Sequence, residues 1–221
     1  MITVHHLENS RSQRILWLLE ELGLEYEIVE YKRDPETASG PESLKKVHPL
    51  GKSPVITDGD LTVAESGAII EYLLDQYDTE KRLRPTHGKA LLDYRYWLHF
   101  AEGSLMPLLV MKLVMMKIPQ SPMPFFVKPI AKALSSKVQE KFITPRINPQ
   151  MQFIEKTLGE HTWFVGEELS AADIQMSFPL QASSTRMDLT KYPNIARFIK
   201  QVEAVPAYQQ ALAKGGAFTT L

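Results

Sequence analysis

The sequence of 221 residues contains no cysteine. This absence excludes disulfide bonds, thiolate metal sites and a thiol nucleophile supplied by the chain itself. Any thiol chemistry would therefore use a thiol that arrives with a ligand. The sequence also lacks an excess of either charge, with 25 Lys and Arg residues against 26 Asp and Glu residues. This balance argues against a nucleic-acid partner, which would require a basic surface.

Long apolar runs are absent as well. No uninterrupted apolar stretch approaches the ~18 residues that a membrane span needs, so we expect no membrane segment. The first residues lack a basic segment followed by an apolar one, and we therefore expect a cytoplasmic protein. The adjacent histidines His5 and His6 would point to opposite faces of a strand, and the other four are scattered, so we expect no metal site.

The first 80 residues predict a small α/β unit. Two alternating apolar segments flank a helical pattern, which favours parallel strands joined by a right-handed crossover. The tight turn Asp58-Gly59-Asp60 separates two short apolar runs and predicts an antiparallel pair. The order βαβαββα thus predicts a mixed four-stranded sheet. In chain order, the predicted elements are strand 2–7, helix 10–23, strand 26–31, helix 43–48, strands 55–57 and 61–64, and helix 66–77.

Beyond a predicted linker at residues 81–88, the patterns indicate helices only. We therefore expect an α/β domain at residues 1–80 and an all-helical bundle at residues 89–221. Ser170 and Asp173 form a predicted capping box for the helix that follows them. The predicted helices are one through residues 94–109 that ends before prolines 119, 122 and 124, one over 128–158 interrupted near Pro145 and Pro149, and shorter ones over 174–183, 193–205 and 206–214.

The strongest functional signal lies in residues 47–66. Pro54 opens the third predicted strand, and the Ser53–Pro54 bond is a candidate cis peptide. Glu65 and Ser66 begin a predicted helix, where free amides and the helix dipole favour a carboxylate. A backbone edge beside an anion site suits a small anionic peptide.

Four segments in this order resemble the soluble glutathione transferases, and in particular their bacterial serine-type members. The resemblance covers essentially the whole chain and implies a thioredoxin-like domain followed by a helical domain. It also implies reduced glutathione as co-substrate, an apolar electrophile as second substrate, and a homodimer. The four segments are residues 9–14, 48–55, 65–69 and 168–173.

The resemblance assigns parts of glutathione to particular residues. Ser53, which precedes the proline, would pair its backbone with the cysteinyl part. Glu65 and Ser66 would hold the γ-glutamyl end. Lys52 would face the glycyl carboxylate, with help from His48.

The thiol needs a further group, because a free thiol with a pKa near ~8.5 is little ionised at neutral pH. Family members place a hydroxyl or thiol donor at the start of the first helix. Ser10 is the first choice here, because it lies four residues before Arg14, as in the serine-type members. Ser12 and Asn9 remain alternatives, and Arg11 would add positive potential. The competing interpretation is that Ser10 only caps the helix.

The resemblance implies conjugation of glutathione to hydrophobic electrophiles, and reduction of organic hydroperoxides by the same thiolate. The alternatives are a glutathione-dependent isomerase and a non-catalytic binding or assembly protein with this fold. The Met-rich residues 105–116 are the expected region of the electrophile pocket, with core packing as the competing interpretation.

Overall fold

The computed structural model describes residues 1–216. Residues 217–221, the end of the predicted second domain, lie outside the described residues. The first part of the chain forms one four-stranded sheet in the order β2-β1-β3-β4. The elements are β1 (Ile2–Leu7), α1 (Gln13–Glu21), β2 (Tyr26–Tyr31), α2 (Glu42–Lys45), β3 (Val55–Asp58), β4 (Leu61–Ala64) and α3 (Ser66–Tyr77).

The predicted mixed sheet is confirmed. β1 is parallel to β2 and antiparallel to β3, and β3 is antiparallel to β4. The short helix α2 ends at Lys45, before the predicted end at His48, because the residues ahead of Pro49 form a turn instead. The central strand β1 is almost wholly buried, and it brings its carboxyl end to the loop that precedes α1.

The start of α1 differs from the prediction. The helix begins at Gln13 and not at Ser10, because residues 8–12 form turns, which begin with a left-handed φ of 50° at Asn9. The N-cap residue is Ser12, and no side chain caps the helix. The Ser10 hydroxyl accepts instead from the Ser12 amide at 3.3 Å. The interpretation of Ser10 as the side-chain cap of α1 is therefore wrong.

The second part of the chain is helical, as predicted. Two π-helical turns, Ala101–Leu105 and Gln139–Ile143, each continue directly into a helix whose second residue is proline, which has no N–H to donate. Pro149, in contrast, lies inside α7 and does not end it. The helices are α4 (Gly88–Phe100), α5 (Met106–Lys117), α6 (Lys128–Val138), α7 (Thr144–Glu160), α8 (Ala171–Ser184), α9 (Pro193–Ala204) and α10 (Pro206–Gly215).

Helix α8 forms the centre of the core, with every residue from 171 to 183 buried. Its predicted capping box is confirmed: Asp173 accepts from the Ser170 amide at 2.9 Å and from the Ser170 hydroxyl at 2.7 Å. The same carboxylate accepts from the Phe164 amide at 2.8 Å. Complete burial raises the pKa of Asp173 to about 6, although these hydrogen bonds act in the opposite direction.

One helical segment of the described residues, Gly88–Gln120, is long and apolar enough to cross a membrane by length and composition alone. Part of the apolar character of this segment is explained by packing in the protein core. Trp97, Ala101 and Leu105 lie on one side of the segment and are buried in the core. A core helix passes the same test of length and hydropathy.

Candidate active site

A cleft opens between the start of β3 and the start of α3. The Ser53–Pro54 peptide bond at its floor is cis, as predicted. The structure brings all of the predicted glutathione contacts together at this cleft, although they come from the loop before β3 and from the start of α3. The lining residues are Arg11, His48, Leu50, Lys52, Ser53, Pro54, Ala64, Glu65, Ser66 and Glu102.

The start of α3 forms the anion-binding side of the cleft. Glu65 is the N-cap residue, with a φ of 73°, and Ser66 is the first helical residue. A glutamate in this region of φ carries backbone strain, which in native structures is concentrated at functional sites. The first amide bonded within the helix belongs to Ile69, so the three preceding amides point toward the cleft end without a helical partner. These amides and the helix dipole favour a carboxylate.

Two charged side chains at the cleft remain available for a ligand. Within residues 1–216, neither Lys52 nor Glu65 forms an ion pair, although both line the cleft. Both side chains are exposed. Over the same described residues, no group of three or more potential metal ligands comes together. The cleft thus offers one cation, one anion and a helix N-terminus to a bound molecule.

A cluster of two arginines and one glutamate, of which only Arg14 is buried, supports the cleft, and sequence reasoning missed it. Glu102, in the first π-helical turn, lies 2.5 Å from Arg14 Nη2 and 3.1 Å from Arg11 Nε. Arg14 is only 1% exposed and also donates to the Ser66 hydroxyl at 3.2 Å and to the Gln175 carbonyl at 2.7 Å. Arg14 served in the prediction only as a marker of spacing, and no local pattern could pair it with Glu102.

The three candidates for the thiol contact lie at the inner end of the cleft, behind its lining. Ser10 is 5% exposed, and its hydroxyl lies 2.7 Å from the Ser12 hydroxyl and 3.4 Å from the Ser53 hydroxyl. Ser12 is fully buried and bonds His6 Nδ1 at 2.8 Å. Asn9 holds the left-handed turn, and its carbonyl accepts from an arginine of the next loop. The sequence signal for His6 was only its place on the first strand.

An apolar groove adjoins the cleft along α5. Its walls include Met106, Pro107, Val110, Met111 and Val114, and it shares Arg11 and Glu102 with the cleft. The groove lies in the region where the electrophile pocket was predicted. The other face of the same helix carries Leu109 into the core, so the methionine-rich segment serves both packing and a groove.

Comparison with known proteins agrees with this architecture. A model of the N-terminal domain of glutathione S-transferase matches residues 1–75, and a model of the C-terminal domain matches residues 122–215. Glutathione S-transferase 1 of Saccharomyces cerevisiae is 36% identical over 226 residues, covering 98% of this chain and 96% of that protein. Glutathione S-transferase 3 of Schizosaccharomyces pombe is 35% identical and covers 97% of this chain and 88% of that protein.

A solved structure is also similar. A glutathione S-transferase from Actinobacillus pleuropneumoniae is 40% identical, with a TM-score of 0.80 over 100% of this chain and 95% of that chain. Family models that match both parts of the chain and relatives that match nearly its full length show that the chain belongs to the glutathione S-transferase family. It is an enzyme of that family, a glutathione transferase. The predicted glutathione transferase family, fold class and transferase activity are confirmed, whereas the bacterial serine-type subclass and hydroperoxide reduction stay predictions.

Proposed function

We propose that the protein is a serine-type glutathione transferase in which Ser10 donates a hydrogen bond to the thiolate of bound glutathione. One observation carries the proposal: the cleft and the apolar groove share Arg11 and Glu102. A sulfur atom held near Ser53 and Ser10 would therefore lie beside the apolar wall that receives the electrophile. The arrangement suits attack of a thiolate on a hydrophobic substrate.

The charges of the cleft fit the two ends of glutathione. Lys52, assisted by His48, would bind the glycyl carboxylate at one end. At the other end, the free amides of α3 and the Ser66 hydroxyl would bind the γ-glutamyl carboxylate, and Glu65 would accept from its ammonium group. The backbone of Ser53, beside Pro54, would pair with the cysteinyl part between them.

The hydrogen bonds around the three serines favour Ser10 as the donor to sulfur. The Ser53 hydroxyl donates to the His5 carbonyl at 2.9 Å. The Ser12 hydroxyl is bonded to His6 Nδ1 at 2.8 Å. The Ser10 hydroxyl, in contrast, has only neutral hydroxyl groups as acceptors, and a thiolate is a stronger acceptor than either of them.

Isothermal titration of reduced glutathione into the protein and into Ser10→Ala tests this role. We expect both proteins to bind, and the ultraviolet absorbance of the bound thiolate to be lost only in Ser10→Ala. Removal of such a donor typically lowers kcat by a factor of about 10² to 10³. Ser43→Ala, at an exposed serine of α2 away from the cleft, is the control and should behave like the unchanged protein. No binding by the unchanged protein at millimolar glutathione would overturn the proposal.

A second variant tests the predicted carboxylate contact. Lys52→Ala should raise the KM for glutathione about fivefold, because it removes one partly exposed charge-assisted hydrogen bond. Lys46→Ala removes an equally exposed lysine that does not line the cleft. Equal KM values for the two variants would argue against the Lys52 assignment.

The proposal assigns different roles to two domains: residues 1–80 bind glutathione, and residues 89–221, which follow the linker 81–88, cover the electrophile.

The same thiolate would reduce organic hydroperoxides, which assays with cumene hydroperoxide will measure beside conjugation. We place the enzyme in the cytoplasm, because reduced glutathione is the thiol pool of that compartment. Cell fractionation tests that location.

The proposal also includes a homodimer. Leu92, Tyr96 and Phe153 are 64%, 47% and 45% exposed, and the rings of Tyr96 and Phe153 lie 6.0 Å apart on α4 and α7. A cluster of exposed apolar side chains is typical of an interaction surface. Sedimentation equilibrium should give twice the chain mass, and Leu92→Asp should lower it. A monomer at micromolar concentration would contradict this part of the proposal.

A further inference from the structure

We propose that His6 is the group that receives the proton of the glutathione thiol, through the hydroxyls of Ser10 and Ser12. The inference rests on the proposed function and deepens it, because it states where the thiol proton goes when the thiolate forms. His6 touches neither the cleft nor the groove, so it would act only through the two serines.

Three short contacts connect the inner end of the cleft to the end of the last helix. Ser10 Oγ and Ser12 Oγ are 2.7 Å apart, and Ser12 Oγ is 2.8 Å from His6 Nδ1. On the far side of the ring, His6 Nε2 lies 2.8 Å from the carbonyl oxygen of Gly215. All three side chains are at least 95% buried: Ser10 is 5% exposed, Ser12 is 0% exposed and His6 is 4% exposed.

The Gly215 contact sets the direction of the inner hydrogen bonds in the resting state, whereas the Ser10 hydroxyl can donate either to Ser12 at 2.7 Å or to Ser53 at 3.4 Å. A carbonyl oxygen only accepts, so Nε2 of the neutral His6 ring carries the hydrogen. Nδ1 is then a bare acceptor, and the Ser12 hydroxyl must donate to it. The Ser12 oxygen can in turn accept from the Ser10 hydroxyl. The hydrogen bonds therefore point inward, from Ser10 to Ser12 to His6, and we call these three side chains the relay.

Binding of the thiol allows the direction of these three hydrogen-bonded groups to reverse, with every proton accounted for. The thiol proton passes to Ser10 Oγ, the Ser10 proton passes to Ser12 Oγ, and the Ser12 proton passes to His6 Nδ1. One S–H bond breaks, one N–H bond forms, and each serine keeps one proton. Afterwards the imidazolium donates to Ser12, Ser12 donates to Ser10, and Ser10 donates to the thiolate. Each hydroxyl is bonded before and after the transfer.

Burial is the largest influence on His6 and disfavours the charged ring, and the groups around the ring offset it only in part. Burial lowers the pKa of His6, so the ring is free to accept a proton at neutral pH. Around it, β2 contributes the carboxylate of Glu30, its register partner, α10 contributes the Gly215 carbonyl, and α1 contributes the neutral Ser12. Glu30 and the carbonyl both raise the pKa of His6, and a nearby thiolate would act in the same direction.

The close approach of α10 requires a glycine at residue 215. A Cβ atom there would lie 2.3 Å from Leu16 Cδ1 and 3.4 Å from His6 Cε1. The glycine therefore lets the carbonyl reach the ring and hold the hydrogen on Nε2. The same contact ties α10 to β1, and with the hydrogen on Nε2 it leaves Nδ1 as an acceptor for Ser12.

NMR of the full chain with ¹⁵N-labelled histidine tests the transfer directly. The His6 signals are assigned by their loss in His6→Gln. In the free enzyme we expect a neutral ring with hydrogen on Nε2, and with saturating glutathione we expect Nδ1 to become protonated. S-methylglutathione has no thiol proton and should leave the ring neutral. Thiolate absorbance together with an unprotonated Nδ1 would overturn the relay while leaving the proposed function intact.

Calorimetry in buffers of different ionisation enthalpy gives a second readout. Transfer to His6 predicts almost no proton release when the unchanged enzyme forms thiolate at pH 7.5. Ser12→Ala breaks the relay, so it should either lose the thiolate or release about one proton per thiolate to the buffer. His5→Gln, whose ring bonds Tyr31 instead, should match the unchanged enzyme. Ser12→Ala with normal thiolate and no release would refute the relay, and no thiolate in the unchanged enzyme would overturn both proposals.

Discussion

Substitution of Asp173 by asparagine should change the pH dependence of stability in a defined direction. Asp173 is fully buried, and burial raises the pKa of its carboxyl group from 3.8 to about 6 in the folded protein. A carboxyl group with a raised pKa favours the folded state while it is neutral. That contribution is fully present below pH 3.8 and is lost as the pH rises through about 6.

The magnitude follows from the two pKa values. Each pH unit between them is worth about 1.4 kcal/mol, so the whole transition is worth about 3 kcal/mol. Between pH 5 and pH 7.5, where the fold should survive, the wild-type protein loses about 1.4 kcal/mol through this group. Asp173→Asn lacks the titration but leaves the Ser170 amide without its charged acceptor, at a cost of about 1–3 kcal/mol that does not depend on pH.

Urea unfolding of both proteins at equal concentration, at pH 5, 6 and 7.5, measures the difference. Asp173→Asn should be less stable at the lowest pH, and its deficit should shrink by about 1.4 kcal/mol by pH 7.5. All other titrating groups are common to both proteins and cancel in the comparison. A deficit that stays constant or grows with pH would refute the reasoning, because the carboxylate would then be well tolerated in the core.

Three further substitutions probe the packing and the site. Gly215→Ala should lower the melting temperature and Gly103→Ala should not, because a Cβ atom clashes at the first position and meets no atom within 4 Å at the second; equal melting temperatures would refute this. Glu102→Gln should lower the free energy of unfolding in urea by about 3 kcal/mol or more, because it leaves buried Arg14 without its carboxylate. A loss below about 1 kcal/mol would contradict this prediction. Val114→Lys should reduce kcat/KM for apolar electrophiles about tenfold with an unchanged KM for glutathione, and the reverse pattern would remove the groove from the substrate site.

The sequence predicts those parts of the fold that local patterns control. β1, β2, β4 and α3 have the predicted bounds, because alternation, the Asp58-Gly59-Asp60 turn and the capping residues act over a few positions. The cis Ser53–Pro54 bond and the capping box of α8 follow from equally local rules. The cleft residues other than Glu102 were predictable because they occupy one short segment of the chain and the turn before α1.

The parts that could not be predicted depend on long-range contacts or on backbone details. The late start of α1 comes from the turns over residues 8–12, which composition alone does not reveal. Glu102 meets Arg14 across 88 positions, and His6 meets the Gly215 carbonyl across 209. Neither pair leaves a periodic signal, so only the folded chain shows that a glutamate and a histidine belong beside the site.

Arg14 explains how the starts of α1 and α3 keep a fixed position relative to each other. Its guanidinium leaves α1, donates to Ser66 at the start of α3, and also reaches the Gln175 carbonyl in α8 and the carboxylate of Glu102. A buried ion pair gains little stability over apolar packing, so its value here lies in geometry. The planar guanidinium supplies donors in several fixed directions, which a lysine ammonium on a flexible stem does not reproduce. One buried side chain thus fixes the thiol end of the cleft relative to its carboxylate end, and glutathione must span both.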